Sequence, residues 1–297
     1  MQLVFSSVLS MSMQSAIELG VFDIIAKAGP GAKLSSSEIA AHIGSGTRNS
    51  EAPMMLDRIP RLLASYSILS CSVVANEEDG SDSQRVYSIG PVSNYFVTDE
   101  DGVSLGPMMA LSQDKVVLES WSQLKDAVVE GGIPFNRVHG KHSFEFNQVF
   151  NTTIFNHTNI VTKKILHLYK GFEKITLLVD VGGGVEHVGG DMFASVPSGD
   201  AIFKKLILHD WRDQHCLKLL ENCYNAIPDD GKVIIVEALI PVMPETSTAV
   251  KSTSQIDVLM MTQNQGGKEQ SREEFMALAT GAGLVALNMN VLSVIFG

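Results

Sequence analysis

The stretch LLVDVGGG, residues 177–184, decides the fold. Three apolar residues end on a carboxylate, Asp180, which runs into Gly182, Gly183 and Gly184. A short apolar strand followed by a glycine turn is the pattern of a parallel α/β sheet. Two further runs repeat the ending: AIFKKLIL at 201–208 stops at His209, and VIIV at 233–236 stops at Glu237. In a parallel sheet these ends share one rim, where open α/β proteins bind ligands. Asp180, His209 and Glu237 are therefore predicted to lie along a common edge. Gly182 and Gly184 satisfy G-x-G, but the third glycine of the dinucleotide fingerprint is replaced by His187. The shorter arrangement from Asp180 to Gly184 suits close backbone approach to a small adenosyl ligand. No Walker lysine follows, which argues against phosphoryl transfer.

The chain N-terminal to this region reads as mainly helical. MSMQSAIELGVFDIIAK (11–27) places Ile17, Val21, Ile24 and Ile25 near helical spacing, with GPG at 29–31 as the stop. LSSSEIAAHI (34–43) offers Ser35 as N-cap and Glu38 three residues later, a capping box. A third helix starts at Pro53, and Pro60 inside it is expected to kink it. ILSCSVV (68–74) and RVYSIG (85–90) flank a polar tip and read as a hairpin. LSQDKVVLESWSQLKDAVVEGG (111–132) reads as one long amphipathic helix ended by Gly131 and Gly132, and a second helical stretch follows at 144–169. These elements predict a small helical domain over 1–100 and an α/β domain over 101–297.

Composition removes several function classes. The 297 residues carry a formal net charge of −11, and the first hundred hold six basic against eleven acidic residues. A winged-helix-like start with that balance would be repelled by DNA, and the whole chain by an anionic membrane. Three scattered cysteines (Cys71, Cys216, Cys223) make no disulfide framework. The histidines His139, His142, His209 and His215 lack zinc spacing, so no metal site is expected. The serines, Ser254 among them, have no nucleophile elbow. No apolar run spans a bilayer and no basic segment opens the chain, so a cytoplasmic protein is expected.

HDW at 209–211, GGDMF at 189–193 and GGKE at 266–269, together with APMMLDRIPRLLASYSIL at 52–69, closely resemble the plant caffeate-type O-methyltransferases. The likeness covers nearly the whole chain. It implies a winged-helix-like dimerisation domain followed by a Rossmann-like methyltransferase domain, a homodimer, and S-adenosylmethionine as the methyl donor to a phenolic hydroxyl. By the resemblance His209 is the general base, flanked by Glu237 and Glu269. Asp191 and Met192 match the residues on the adenine side of the cofactor, Lys205 matches a cofactor-contacting lysine, and Gly182 lies where the backbone approaches the methionine part. Leu111, Phe146, Phe150, Ile154, His157, Leu259, Met260 and Asn264 align with the phenol pocket. Elementary chemistry agrees on the base: a phenol near pKa ~10 is a poor nucleophile at neutral pH, and a positioned imidazole can take its proton.

One interval departs from the family. Only VEHVGG separates Gly184 from Asp191. A βαβ crossover needs at least ~10–12 residues, so the usual helix and acidic-ended strand do not fit there. The acidic residue that would grip the ribose hydroxyls in the family is missing, and Glu186 stands where the family's own turn, as distinct from the dinucleotide fingerprint, carries its third glycine. A second shortening falls in HSFEFNQVFN (142–151), and the closing segment NVLSVIFG also differs. Losing a strand and its covering helix would remove apolar side chains worth ~1.5–3 kcal/mol each. Weak or absent cofactor binding is therefore expected. Two functions stay open: an O-methyltransferase homodimer, or an inactive homologue that pairs with full-length relatives.

Overall fold

A computed structural model describes residues 1–44, 48–75, 83–145, 147–182 and 189–284, the side chains of 144 and 147–150 excepted. The chain divides into two compact units, residues 1–115 with 151–157 and residues 116–150 with 158–297.

The first unit opens with α1 (Ser6–Glu18) and α2 (Val21–Lys27). The sequence reads as one helix here, but the structure breaks it at Gly20, whose φ of +70° lies in the left-handed region that glycine tolerates. The break preserves burial on both sides: Met13, Ala16, Val21, Phe22 and Ile25 all enter one core. A two-residue strand, β1 (Leu34–Ser35), leads into α3 (Ser36–His42) through the predicted capping box. Ser35 Oγ accepts from the Glu38 amide at 3.2 Å, and the Glu38 carboxylate accepts from the Ser35 amide at 2.7 Å.

Helix α4 (Ala52–Ser65) has Pro53 in its first turn and continues through Pro60. Leu56, Pro60 and Leu63, four and three residues apart, form its buried stripe. The expected hairpin pairs β2 (Leu69–Ala75) with β3 (Ser83–Ile89), antiparallel, with Cys71 opposite Tyr87. β1 adds to its other edge with Leu34 opposite Tyr87. The hairpin tip at 76–82 lies outside the described residues.

The helix predicted over 111–132 is several pieces. α5 (Gly106–Ser112) ends first; α6 (Lys115–Ser120), a 3-10 turn (Trp121–Gln123) and α7 (Leu124–Glu130) follow. Ser112 Oγ turns back onto the Met109 carbonyl at 2.8 Å, the local competition by which short polar side chains end helices. α7 buries no residue and leaves Val128 and Val129 exposed, so the amphipathic reading fails there. Gly131, at φ +83°, closes it as expected.

The second unit continues with α8 (Pro134–His139), α9 (Asn147–Leu168), β4 (Leu178–Asp180), β5 (Ala201–Lys205), α10 (Asp213–Asn225), β6 (Lys232–Val236), α11 (Thr248–Gln263) and α12 (Arg272–Gly281). The strands form a parallel sheet in the order β4-β5-β6, with Asp180 opposite Phe203 and Lys205 opposite Val236. β5 is buried at every position. Its side chains alternate between faces: Ile202 packs with Cys216, Leu219, Leu220 and Phe275, while Phe203 packs with Val161, Ile165 and Ile234. The three strand ends thus meet on one rim, the geometry a parallel sheet imposes. Among the described residues no single helix is long and apolar enough to cross a membrane.

Candidate active site

The run toward His209 is not strand to its end. β5 stops at Lys205, and Leu206 adopts φ +52° after its amide bonds the Val236 carbonyl at 2.9 Å. A 3-10 turn (Leu208–Asp210) then carries His209. Glu237, just beyond β6, explains the early stop. Its Oε1 accepts the amides of Ile207 and Leu208 at 2.9 and 2.8 Å, replacing the sheet's own acceptors at the turn. Glu237 thus fixes the backbone beneath His209.

The second support comes from the GGKE segment. Gly266 has φ +75°, and a Cβ on Gly267 would lie 2.9 Å from the His209 carbonyl oxygen, closer than real contacts allow. Without that side chain the Lys268 amide reaches the same carbonyl at 2.9 Å. Glu269 follows, its side chain wholly buried, with Oε1 2.7 Å from His209 Nδ1. An ionised carboxylate there takes the Nδ1 proton as its hydrogen bond and leaves Nε2 as the basic nitrogen.

Electrostatics follow from burial against charge. Burial alone would lower the His209 pKa; the Glu269 hydrogen bond and the charges of Asp210 and Glu237 outweigh it and raise it to about 9. Asp210 is pushed up to about 6 by burial, reinforced by Glu237 and Glu269 and opposed by His209 and a hydrogen bond from Asn264. Burial also raises Glu237. Asp210 Oδ1 lies 3.8 Å from His209 Nε2, beyond hydrogen-bond reach, and accepts from Asn264 Nδ2 at 2.5 Å.

The structure therefore brings His209, Glu237, Glu269 and Asn264 together and adds Asp210, whose place beside His209 the HDW motif already holds in sequence. Asp257, which accepts the Glu269 amide at 2.8 Å, carried no sequence signal, since twelve residues separate the two.

The other predicted residues are spread more widely. Gly182 follows β4 at φ +83°, and a Cβ there would overlap the Ile207 side chain. On the strand ends, Asp180 is raised by burial and opposed by the charge of Lys205; burial lowers Lys205 to about 8. Asp191 is exposed and accepts the Phe193 amide at 2.9 Å. Met192 packs against the α10 core, and its carbonyl accepts from Asn222 at 2.9 Å. Residues 183–188, Glu186 included, lie outside the described residues, as do Phe146 and the Phe150 side chain. Leu259 and Met260 are half-buried on α11. In the first unit Leu111 is half-buried on α5, Ile154 is exposed on α9 and His157 is buried. Among the described residues no group of acidic, histidine or cysteine side chains could hold a metal ion.

Comparison with known proteins agrees with this architecture. Residues 1–99 match the O-methyltransferase dimerisation domain. The O-methyltransferase domain profile matches in two stretches, 121–186 and 184–285, that meet at the shortened interval. A catechol O-methyltransferase of Solanum lycopersicum is 50% identical, over 97% of this chain and 90% of its own length. Caffeic acid 3-O-methyltransferase 1 of Populus kitakamiensis is also 50% identical, over 95% and 88%. Since 97% of 297 residues is about 288, about 50 of the 339 positions aligned with the tomato protein have no counterpart here. Human N-acetylserotonin methyltransferase, solved with SAM, shares the fold at a TM-score of 0.71 and 19% identity, over 95% of this chain and 90% of that one. By its two matched domains and its half-identical relatives, the chain belongs to the O-methyltransferase family, beside the plant caffeic acid 3-O-methyltransferases.

Proposed function

We propose that this chain is an S-adenosylmethionine-dependent O-methyltransferase acting on a phenolic hydroxyl of a phenylpropanoid such as a caffeate-like acid, with His209 as the general base. The observation that carries the reading is the 2.7 Å His209–Glu269 pair, buried on a turn that Glu237 holds from the other side. A phenol titrates near ~10 and a conjugate acid of about 9 lies close to it, so proton transfer to Nε2 of the neutral ring is nearly balanced, and the neutral fraction grows as pH rises toward that value. The imidazolium formed is then stabilised by Glu269, Glu237 and Asp210. Leu259, Met260 and Asn264 are assigned to the phenol through the family resemblance.

Support for the cofactor comes from the strand ends. Gly182 turns the chain at the end of β4 with φ +83° and bare backbone, and Asp180 and Lys205 offer both signs of charge to a ligand with an ammonium and a carboxylate. Asp191 and Met192 are the candidates for its adenosyl end. When bound, the cofactor supplies an electrophilic methyl group on a sulfonium. Affinity is expected to be weak, because the shortened interval before Asp191 leaves no room for the strand that would present a ribose-binding carboxylate. That interval is also the observation behind a second reading, an inactive partner subunit. The dimerisation domain supports a homodimer, with pairing to longer relatives as the variant of the second reading; a cytoplasmic location fits both.

Isothermal titration with S-adenosylmethionine and S-adenosylhomocysteine, alongside a methyl-transfer assay over a phenol panel, tests the proposal. Slow turnover that rises when the absent block is restored supports it. Micromolar affinity with full turnover overturns the weak-binding part. No phenol methylation even after restoration overturns the enzymatic reading.

A further inference from the structure

The GGKE segment that presents Glu269 to His209 begins with two glycines, and Gly266 sits at positive φ. Such a turn does not by itself fix the carboxylate that follows, because glycine carries the greatest backbone freedom of any residue. Contacts from outside the segment restrain it, three of them close to the carboxylate. The Lys268 amide bonds the His209 carbonyl at 2.9 Å. The Gln270 carbonyl accepts the Ile240 amide at 3.0 Å, joining the segment to the strand extension beyond Glu237. Between them, the Glu269 amide donates to Asp257 Oδ1 at 2.8 Å. Only this last contact acts on the residue that touches the imidazole, and it comes from α11, the helix that also carries Leu259 and Met260.

We propose that Asp257 is a positioning residue for the base: by accepting the Glu269 amide it anchors the Glu269 backbone to α11 and keeps the Glu269 carboxylate on His209 Nδ1. The charges acting on the imidazole come from Glu269, Asp210 and Glu237. Asp257 therefore works through the amide bond, and a neutral side chain with an oxygen in the same place replaces it. The inference rests on His209 being the base, but the contact it concerns exists without cofactor or substrate, so it is measurable in the free protein.

The experiment is a pH titration of the His209 ring signal by NMR in the cofactor-free protein, assigned with His209→Ala. The wild-type midpoint is expected near the raised value of about 9. Asp257→Leu lowers it toward the free-imidazole value of ~6.5. Asp257→Asn, which keeps a side-chain carbonyl for the amide, retains the wild-type midpoint. Glu269→Gln lowers it by at least as much as Asp257→Leu, and the double variant lowers it no further than Glu269→Gln alone. An unchanged midpoint in Asp257→Leu, an Asn variant that shifts as far as Leu, or additive shifts in the double variant overturns the proposal. Should Asp257→Leu fail to fold, Asp257→Ser, too short to reach the amide, reads the same shift. A wild-type protein that never methylates a phenol removes the enzymatic reading while leaving this titration result standing.

Discussion

Each unit draws carboxylates in from solvent, and the two units treat them in opposite ways. In the first unit Asp57 lies on α4 beneath the hairpin. It accepts from Arg85 Nε and Nη2, from the Tyr87 hydroxyl at 2.7 Å and from Ser36 Oγ at 3.0 Å. Burial would raise its pKa, but these donors together hold it below the ordinary carboxylate range. In the second unit Glu237 and Glu269 each have one oxygen engaged, and Oε2 of both is buried without a hydrogen-bond partner. Lys204 Nζ, on the central strand, is likewise buried and unpartnered. A fully donated carboxylate is a structural joint. Buried polar atoms without partners cost stability, and two of these belong to the glutamates whose charges act on one imidazole, the arrangement expected of a site poised for chemistry.

The sharpest way to break that contrast is to remove the centre of each node. His209→Ala is expected to lower the methyl-transfer rate by ~10²–10⁴-fold, the usual worth of a positioned base, a loss of rate in the folded molecule that exceeds any change in unfolding. Asp57→Ala should do the reverse. It takes away the nearer acceptor of the fully buried Tyr87 hydroxyl and leaves it only the residue-57 backbone carbonyl at 3.3 Å, at ~1–3 kcal/mol of stability, while turnover per folded molecule stays unchanged. A His209 variant that keeps its rate, or an Asp57 variant that loses rate but not stability, would show that the two nodes are not divided in this way.

Lys204 tests the second unit from the side of stability. Burial lowers its pKa, opposed by the charges of Cys223, Glu237 and Cys216. The unfolded chain, with an ordinary lysine near ~10.4, then binds more protons than the native one, so this group's contribution makes stability rise with pH up to that value. Lys204→Met should stabilise the protein by ~1–3 kcal/mol at neutral pH and by less at pH ~10, read by urea unfolding at both pH values. Equal stabilisation at the two would mean that Lys204 keeps its charge when folded.

The same pair of nodes shows which signals a sequence carries. The Ser35–Glu38 capping box spans three residues and is written locally. The three strand ends follow from apolar runs and the rule for parallel sheets. The end of β5 does not: eight apolar and lysine residues run unbroken to His209, and the stop after Lys205 is set by Glu237, about thirty residues on. Helix α1 breaks at Gly20 inside an unbroken helical period, because a glycine offers the left-handed turn without announcing that the chain will use it. The 111–132 stretch has helical periodicity, yet Ser112 and the turn at Trp121–Gln123 divide it. Asp57 and Asp257 were both illegible for one reason: each acts on a partner elsewhere in the chain, through a hydrogen bond that no spacing rule encodes.

The smallest expected effect is the most telling for the comparison. Tyr87→Phe deletes one donor from the Asp57 node, but both carboxylate oxygens remain served, Oδ1 by Ser36 and Arg85 Nε and Oδ2 by Arg85. No buried acceptor is orphaned, and the ring still fills its place between Leu34 and Cys71 in the sheet. The loss should therefore be that of a single net hydrogen bond, ~0.5–1.5 kcal/mol in urea unfolding, below that of Asp57→Ala. The node absorbs the deletion because its donors are redundant. Glu269→Gln keeps a carbonyl acceptor and removes the charge, yet among the described residues no other carboxylate bonds His209 Nδ1, so the ring's titration must move. A Tyr87→Phe loss as large as that of Asp57→Ala would mean that the first node depends on one bond in the way the second does, and the distinction between a redundant joint and a poised site would fail.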